Sequence, residues 1–364
     1  MTLINFYTIA GLGLVFIALI DIYLTVLHPR IDSTLISAPL AKVIWFFFRC
    51  VAKIFPRIRK QMFSHSGPVI IITIVATWLL LLLFGFALVV WPNLGYAIKS
   101  SEGYTQVDFA TALYYSGYSL TTLGTGDLVP ETDFHRLLMV IQAAIGFSIF
   151  TLTITYILSV YSSIVKRNTF ALSLYHRSGE TADGAIFLVK LISNSNISSV
   201  QQDLSNIARD LINLLETQKT YPVLLYIRLP QTYYSLPRIL FLAMDTTTLI
   251  RSALHKQKYR SLIHCAAVAE LWGGGMHLLR ILSNLLVPKR HLLISEQEEK
   301  NWRARYYEAV EQFKGANIKT VDNLEEGADL YVELRQKWTP YLGDLIDYMA
   351  YNWTEIAPHE NHPN

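Results

Sequence analysis

From Pro68 to Trp91 the chain carries no charged residue, and its polar side chains before Trp91 are Thr73 and Thr77. A helix rises about 1.5 Å per residue, so this stretch covers the roughly 30 Å apolar core of a bilayer. A helix that is apolar all round has lipid as its natural solvent, which excludes a buried helix of a soluble protein. Two other stretches qualify, from Asn5 to Leu27 and from Phe134 to Val165, though the ends of the latter must leave the hydrocarbon. The expected fold is therefore an all-α membrane protein with three spans.

Composition agrees. Of 364 residues, 52% are hydrophobic and 16% charged, too apolar for one soluble domain of this length. The long uncharged runs fall within residues 1–165, whereas 166–364 has an ordinary mixed surface pattern. A net charge of +3 does not suggest a nucleic-acid partner. Cys50 and Cys265 provide no disulfide framework. No basic segment precedes the first apolar run, which speaks against a cleaved signal peptide.

Basic residues set the expected orientation. Between the first two spans lie Arg30, Lys42, Arg49, Lys53, Arg57, Arg59 and Lys60 against the single acid Asp32, and Lys166 and Arg167 follow the third span. The segment from Pro92 to Asp133 has Lys99 against Glu102, Asp108, Asp127, Glu131 and Asp133. The positive-inside rule puts the first loop and the C-terminal half in the cytoplasm, and three spans then place the N-terminus outside. No span carries arginines at every third position, so a voltage-sensing helix is not expected. The expected location is a plasma membrane, most simply a bacterial inner membrane.

Two features of residues 1–67 need separate readings. Lys42, Arg49 and Lys53 form one stripe of an amphipathic helix from Ala38 to Phe55 that also holds Trp45, Phe46, Phe47 and Phe48. Such a helix is expected to lie in the inner-leaflet interface rather than to span. Asp21 sits inside the first span, where an acid is expensive. It reads either as a proton or voltage sensor or, the favoured alternative, as a carboxylate snorkelling or pairing with Arg30 or a neighbouring helix.

Between the second and third spans lies Thr121 to Pro130, TTLGTGDLVP. Two glycines one residue apart let a backbone turn successive carbonyls toward one axis, where four copies would replace the water shell of a cation. Thr122-Leu123-Gly124-Thr125-Gly126-Asp127 resembles the potassium-channel signature T-V/I-G-Y/F-G-D, departing at the aromatic, which here is Thr125. A bare G-x-G-D is common in turns. Its setting after Tyr114, Tyr115 and Tyr118, between two spans and before Pro130, makes the resemblance specific over residues 68–165.

The resemblance implies a homotetramer of pore modules that conducts potassium, with no cofactor beyond the permeant ion. Ion sites would come from Thr122, Leu123, Gly124, Thr125 and Gly126. Asp127 would brace the filter, with Tyr118 standing where some relatives carry an acidic partner for it, beside Tyr114 and Tyr115. The pore helix would run from Thr105 to Thr121, capped by Thr105 or Asp108. Gly146 stands where the family carries its inner-helix hinge glycine, although close packing against the pore helix is an equal reading. Phe150, Ile154 and Leu158 share one face of the third span and resemble gate residues. Thr125 removes most of an aromatic's volume, so the resemblance implies potassium permeation but not sharp selectivity over sodium.

Residues 166–364 read as an all-helical cytoplasmic domain. Val200, Leu204, Ile207, Leu211 and Leu215 recur at helical spacing, and a second helix is expected from Leu236 to about His255. Further helices are expected at 260–286 and 324–353, and Ser295 with Glu298 forms a capping box before a helix that Gly315 ends. Gly273-Gly274-Gly275 follows no strand and reads as a helix break rather than a phosphate loop. His264, Cys265 and His277 lack the spacing of a metal site. No nucleophile–base pair suggests an enzyme. The domain is expected to assemble the tetramer or to bind a ligand or protein, and a non-conducting receptor built on a pore module is the alternative from another class.

Overall fold

The computed structural model describes residues 2–28, 34–193, 195–286 and 294–359. Arg30 and Asp32, counted above in the charge of the first loop, lie outside them. Packing divides the chain into two units, Met1–Ile54 with His65–Ser162 and Phe55–Ser64 with Ser163–Asn364. This partition does not follow the expected boundaries at 67 and 165. Helices α1 and α2 belong with the segment that follows them, whereas residues 55–64 belong with the C-terminal half.

The first unit contains α1 (Thr2–Ile22), α2 (Ser37–Ile54), most of α3 (Arg59–Val90), β1 (Ile98–Ser100), α4 (Phe109–Leu120), β2 (Leu128–Pro130) and the first part of α5 (Asp133–Arg177). By length and composition α1, α3 and α5 can each cross a membrane. The third helix continues well past Val165, because nothing in the sequence from Lys166 to Arg177 breaks it. Glycines set the approach of α1 to α3: a Cβ on Gly11 would fall on the Gly85 carbonyl, and one on Gly85 would meet Val15 and the Gly11 carbonyl. Small residues let helices approach this closely where lipid supplies no hydrophobic drive.

Asp21 is fully buried and does not snorkel. Its carboxylate accepts from the backbone N–H of Ile36 at 2.8 Å, from that of Ser37 at 3.3 Å, from the Ser37 hydroxyl, and from Trp78 Nε1 at 2.8 Å. The acid thus satisfies the open N-terminus of α2 and an indole of α3, a structural role that disposes of its charge through neutral donors. Along α2, Ser37, Ala41, Trp45 and Ala52 are buried, Val43, Phe46, Phe47 and Ile54 are exposed, and Lys42 and Lys53 are exposed beside them. Its exposed surface therefore carries apolar and basic side chains together.

The second unit is helical throughout, apart from an isolated bridge between Leu254 and Thr320. After the end of α5 come α6 (Gly184–Ser193), α7 (Ile197–Thr220), α8 (Leu236–Ser252), the single turn α9 (Arg260–Ile263), α10 (Ala266–Leu286), α11 (Glu296–Gly315), α12 (Leu324–Tyr348) and the turn α13 (Trp353–Ile356). All five apolar positions read on α7 are buried, and the Ser295–Glu298 capping box is present. Residues Arg260–Asn284 are also long and apolar enough to span, but Val268, Leu271, Leu278, Leu279 and Leu282 are buried in the core of this unit. The expected break at Gly273–Gly275 is absent: α10 runs straight through. A Cβ on Gly275 would run into the Met244 sulfur, so this glycine lets α10 lie close to α8, whereas one on Gly274 would stand in ordinary contact with Ile212 of α7.

Candidate ion-conducting site

Asp108 caps α4, accepting from the Thr111 N–H at 2.7 Å, so the pore helix starts four residues later than Thr105. Thr105 serves elsewhere, accepting from the Ser100 N–H at 2.9 Å. At the other end Thr121 N–H donates to the Gly117 carbonyl at 3.0 Å and Leu123 N–H to the Tyr118 carbonyl at 3.0 Å. These bonds take two carbonyls of the last turn of α4, and the chain leaves it for the glycine-containing loop.

In that loop Thr122 (φ 59°), Gly124 (φ 60°) and Gly126 (φ 77°) are left-handed, whereas Leu123 and Thr125 are not. Residues of alternating hand present successive carbonyls to the same side of the chain. Glycine adopts the left-handed region freely, while Thr122 does so at a penalty of roughly 1–2 kcal/mol. Residues 121–127 are all exposed, and a Cβ on Gly124 or Gly126 would meet nothing. The loop is left open to groups outside this chain.

The loop is braced from behind, though not as the resemblance implies. Tyr118 does not reach Asp127; its hydroxyl donates to the Leu128 carbonyl at 2.6 Å. The Asp127 carboxylate instead accepts from the Thr125 hydroxyl, while the Asp127 carbonyl accepts from Ser101 N–H at 2.8 Å. Thr125 thus replaces an outward-packing ring by a short local hydrogen bond. Tyr115 and Tyr118 are buried with ring centroids 5.2 Å apart, and Tyr114, half exposed, meets Tyr118 at 5.3 Å; both contacts are edge to face.

Beyond the loop, β2 pairs antiparallel with β1, setting Ser100 opposite Leu128 and Ile98 opposite Pro130. Tyr115, Tyr118, Ile98, Leu128, Leu94 and Ala112 form one small core there. This ribbon and the Leu128 carbonyl escape sequence reading because three-residue strands are too short to show a period. Outside it, Lys99 pairs with Glu131 at 2.7 Å and Arg136 with Asp133 at 3.5 Å, so both basic residues near the loop are matched by acids.

Gly146 resolves toward packing. A Cβ there would overlap the Leu120 carbonyl, so α5 rests directly on the last turn of α4, and α5 is unbroken at this point. Phe150, Ile154 and Leu158 are exposed on one face of α5. Beside them runs a second stripe, Thr151, Thr155 and Ser159, each hydroxyl bonded to the carbonyl four residues earlier. Its spacing of four was present in the sequence.

Residues 70–163 match the family model described as an ion channel. These residues form an ion-channel module. A membrane protein of Bacillus subtilis (strain 168), the uncharacterized YdjJ, is 28% identical over 182 residues, covering 49% of this chain and 52% of that protein. The chain thus spans about half the length of the curated relative it matches. No solved structure matches it. The module comprises most of α3, α4 with the glycine-containing loop after it, and α5 as far as Ser163. Among the described residues, no group of three or more His, Cys, Asp or Glu side chains is placed to hold a metal ion.

Proposed function

We propose that this chain is one subunit of a homotetrameric channel that conducts potassium through the carbonyls of Thr122, Leu123, Gly124, Thr125 and Gly126 and is gated by something other than voltage. The observation that carries this reading is the alternating backbone hand across residues 122–126. One loop per chain supplies one quarter of a closed ring, which accounts for carbonyls, glycine faces and the stripe of Phe150, Ile154 and Leu158 left open on a single copy. The distribution of Lys and Arg supports an N-terminus outside and a helical unit in the cytoplasm. For a ligand of that unit, a cleft of 590 Å³ between the end of α5 and α7 offers Lys166, Asp210, Asn213 and Thr217.

Reconstituted protein should pass potassium into vesicles and cross-link as a tetramer, and Gly124→Asp should abolish the flux while leaving assembly intact. A complete unit of one or two chains would refute the reading. Silence under every ligand condition would favour the receptor alternative.

Thr125 favours a second reading within the same class, a weakly selective cation channel. Its hydroxyl is turned onto Asp127, at the position where the family carries an aromatic ring. Thr125→Tyr should raise the potassium-to-sodium permeability ratio if the new ring finds room beside Tyr114, Tyr115 and Tyr118. If those rings already fill the space, overpacking would cost about 1–3 kcal/mol. An unchanged ratio in an assembled variant would show that Thr125 does not limit selectivity.

A further inference from the structure

The C-terminal end of α12 exposes the carbonyls that no helical N–H reaches, the negative end of the helix dipole. The helix closes with Ala350 in the left-handed region (φ 57°), where Tyr351 N–H returns to the Ile346 carbonyl at 3.0 Å. Glycine is the usual residue there, and alanine pays a steric penalty for the same turn. The turn aims the Ala350 carbonyl at two guanidinium groups. Arg59 Nη2 and Arg228 Nη1 both donate to it, and Arg228 Nη1 also lies 3.3 Å from the Met349 carbonyl.

Arg228 is buried between two rings, 3.8 Å from the centroid of Tyr351 and 5.1 Å from that of Phe63. Glu355 completes the group, 3.6 Å from Arg228 and 3.4 Å from Lys60. Arg59, Lys60 and Phe63 lie on the opening turns of α3, the outer helix of the ion-channel module. The segment that presents Arg228 is itself held by α5: Arg167 donates through both Nη atoms, to the carbonyls of Leu224 and Ile227, each at 3.2 Å. Arg167 of α5 thus holds the carbonyls of Leu224 and Ile227, the neighbouring Arg228 donates to the end of α12, and Arg59 of α3 donates to that same end.

We propose that Arg59 and Arg228, closed on the end of α12, form a clasp through which the helical unit sets the open probability of the channel, by tying the start of α3 to the extension of α5. The proposal rests on the channel reading above. The clasp gives a rearrangement of α12 purchase on both module helices, whereas the peptide chain alone would give it purchase only on α5.

The test uses the full chain in lipid nanodiscs and planar bilayers. Arg59→Ala removes one arm from a half-exposed position, and Arg59→Lys keeps the charge without the forked donor. Arg59→Ala should change open probability by about tenfold, the scale of a typical coupling between sites, with unitary conductance and ion selectivity unchanged. Arg59→Lys should change it less. Deuterium uptake should rise at 349–356 and, remotely, in α5. Unchanged open probability with raised uptake at 349–356 overturns the proposal, as does raised uptake confined to 349–356. A wild type that passes no current overturns the channel reading, and the uptake in α5 then still decides whether the clasp couples the two helices.

Discussion

In the helical unit the largest side chains are buried against one another, with Trp302, Trp338, Tyr306, Tyr331 and Phe313 almost wholly inaccessible. In the ion-channel module the long apolar side chains of α5 stand exposed, Phe147, Phe150 and Leu158 among them, and residues 121–127 are exposed throughout. One region buries its large hydrophobic groups within a single chain. The other leaves long apolar side chains exposed, as helices with lipid for their solvent do. The contrast shows where a substitution should be felt: in the helical unit through the fold, in the module through assembly and conduction.

The helical unit also buries charge, which makes it the more brittle region. Asp245 and Arg335 are both inaccessible; Tyr331 donates to Asp245 at 2.6 Å and Arg335 at 3.3 Å, and the guanidinium lies 4.5 Å from the Trp338 ring. Removing one partner of a buried pair strands the other charge and costs about 3–5 kcal/mol. Arg335→Ala should therefore give the largest loss of folded protein, read as a fall in thermal midpoint and in recovery from the membrane. A variant with a wild-type midpoint would break the contrast.

Gly146→Ala is the corresponding probe of the module. Its methyl group has no room against the Leu120 carbonyl, and overpacking of this kind costs about 1–3 kcal/mol. The expected result is loss of flux, with the helical unit's hydrogen exchange unchanged. Flux at the wild-type level would show that α5 does not rest on α4 in the assembled state.

A smaller effect comes with pH. Asp183 caps α6, accepting from Ala185 N–H at 2.7 Å and Ile186 N–H at 3.1 Å, and pairs with Arg305. Burial raises its pKa, but the Arg305 charge and the backbone donors outweigh this and hold it below the usual carboxylate value. Because the folded pKa is depressed, the stabilisation is complete above the unfolded value of about 3.9 and is lost as pH falls through the folded one. Thermal midpoints of the wild type should drop on acidification below that value, and Asp183→Asn should flatten this limb. An identical acid limb in the variant would remove Asp183 from the account.

The smallest effect separates two adjacent glycine environments in α10. Gly273 has open space where a Cβ would stand, so Gly273→Ala should stabilise by about 0.5–1 kcal/mol through helix propensity alone. Gly275→Ala gains the same propensity but meets Met244, and should stabilise less or not at all. Equal midpoints for the two variants would show that α10 does not sit close to α8.

Much of this molecule can be read from its residues in order. The apolar runs of α1, α3 and α5 specify spanning helices because a backbone in lipid must satisfy its own hydrogen bonds. The amphipathic stripes of α2 and α7, the Ser295–Glu298 box and the spacing of Gly124 and Gly126 are likewise local, since each is written within a few turns of chain. What only the tertiary structure decided involves groups far apart in sequence. Asp21 finds Trp78 and the start of α2, Tyr118 takes the Leu128 carbonyl rather than Asp127, Gly146 meets Leu120, and Gly275 becomes a site of close approach within an unbroken helix. The opening turns of α3 join the helical unit because Arg228 and the end of α12 receive them. A residue's pattern states what it can bury or donate; which partner accepts depends on how distant helices pack, and no local period encodes that.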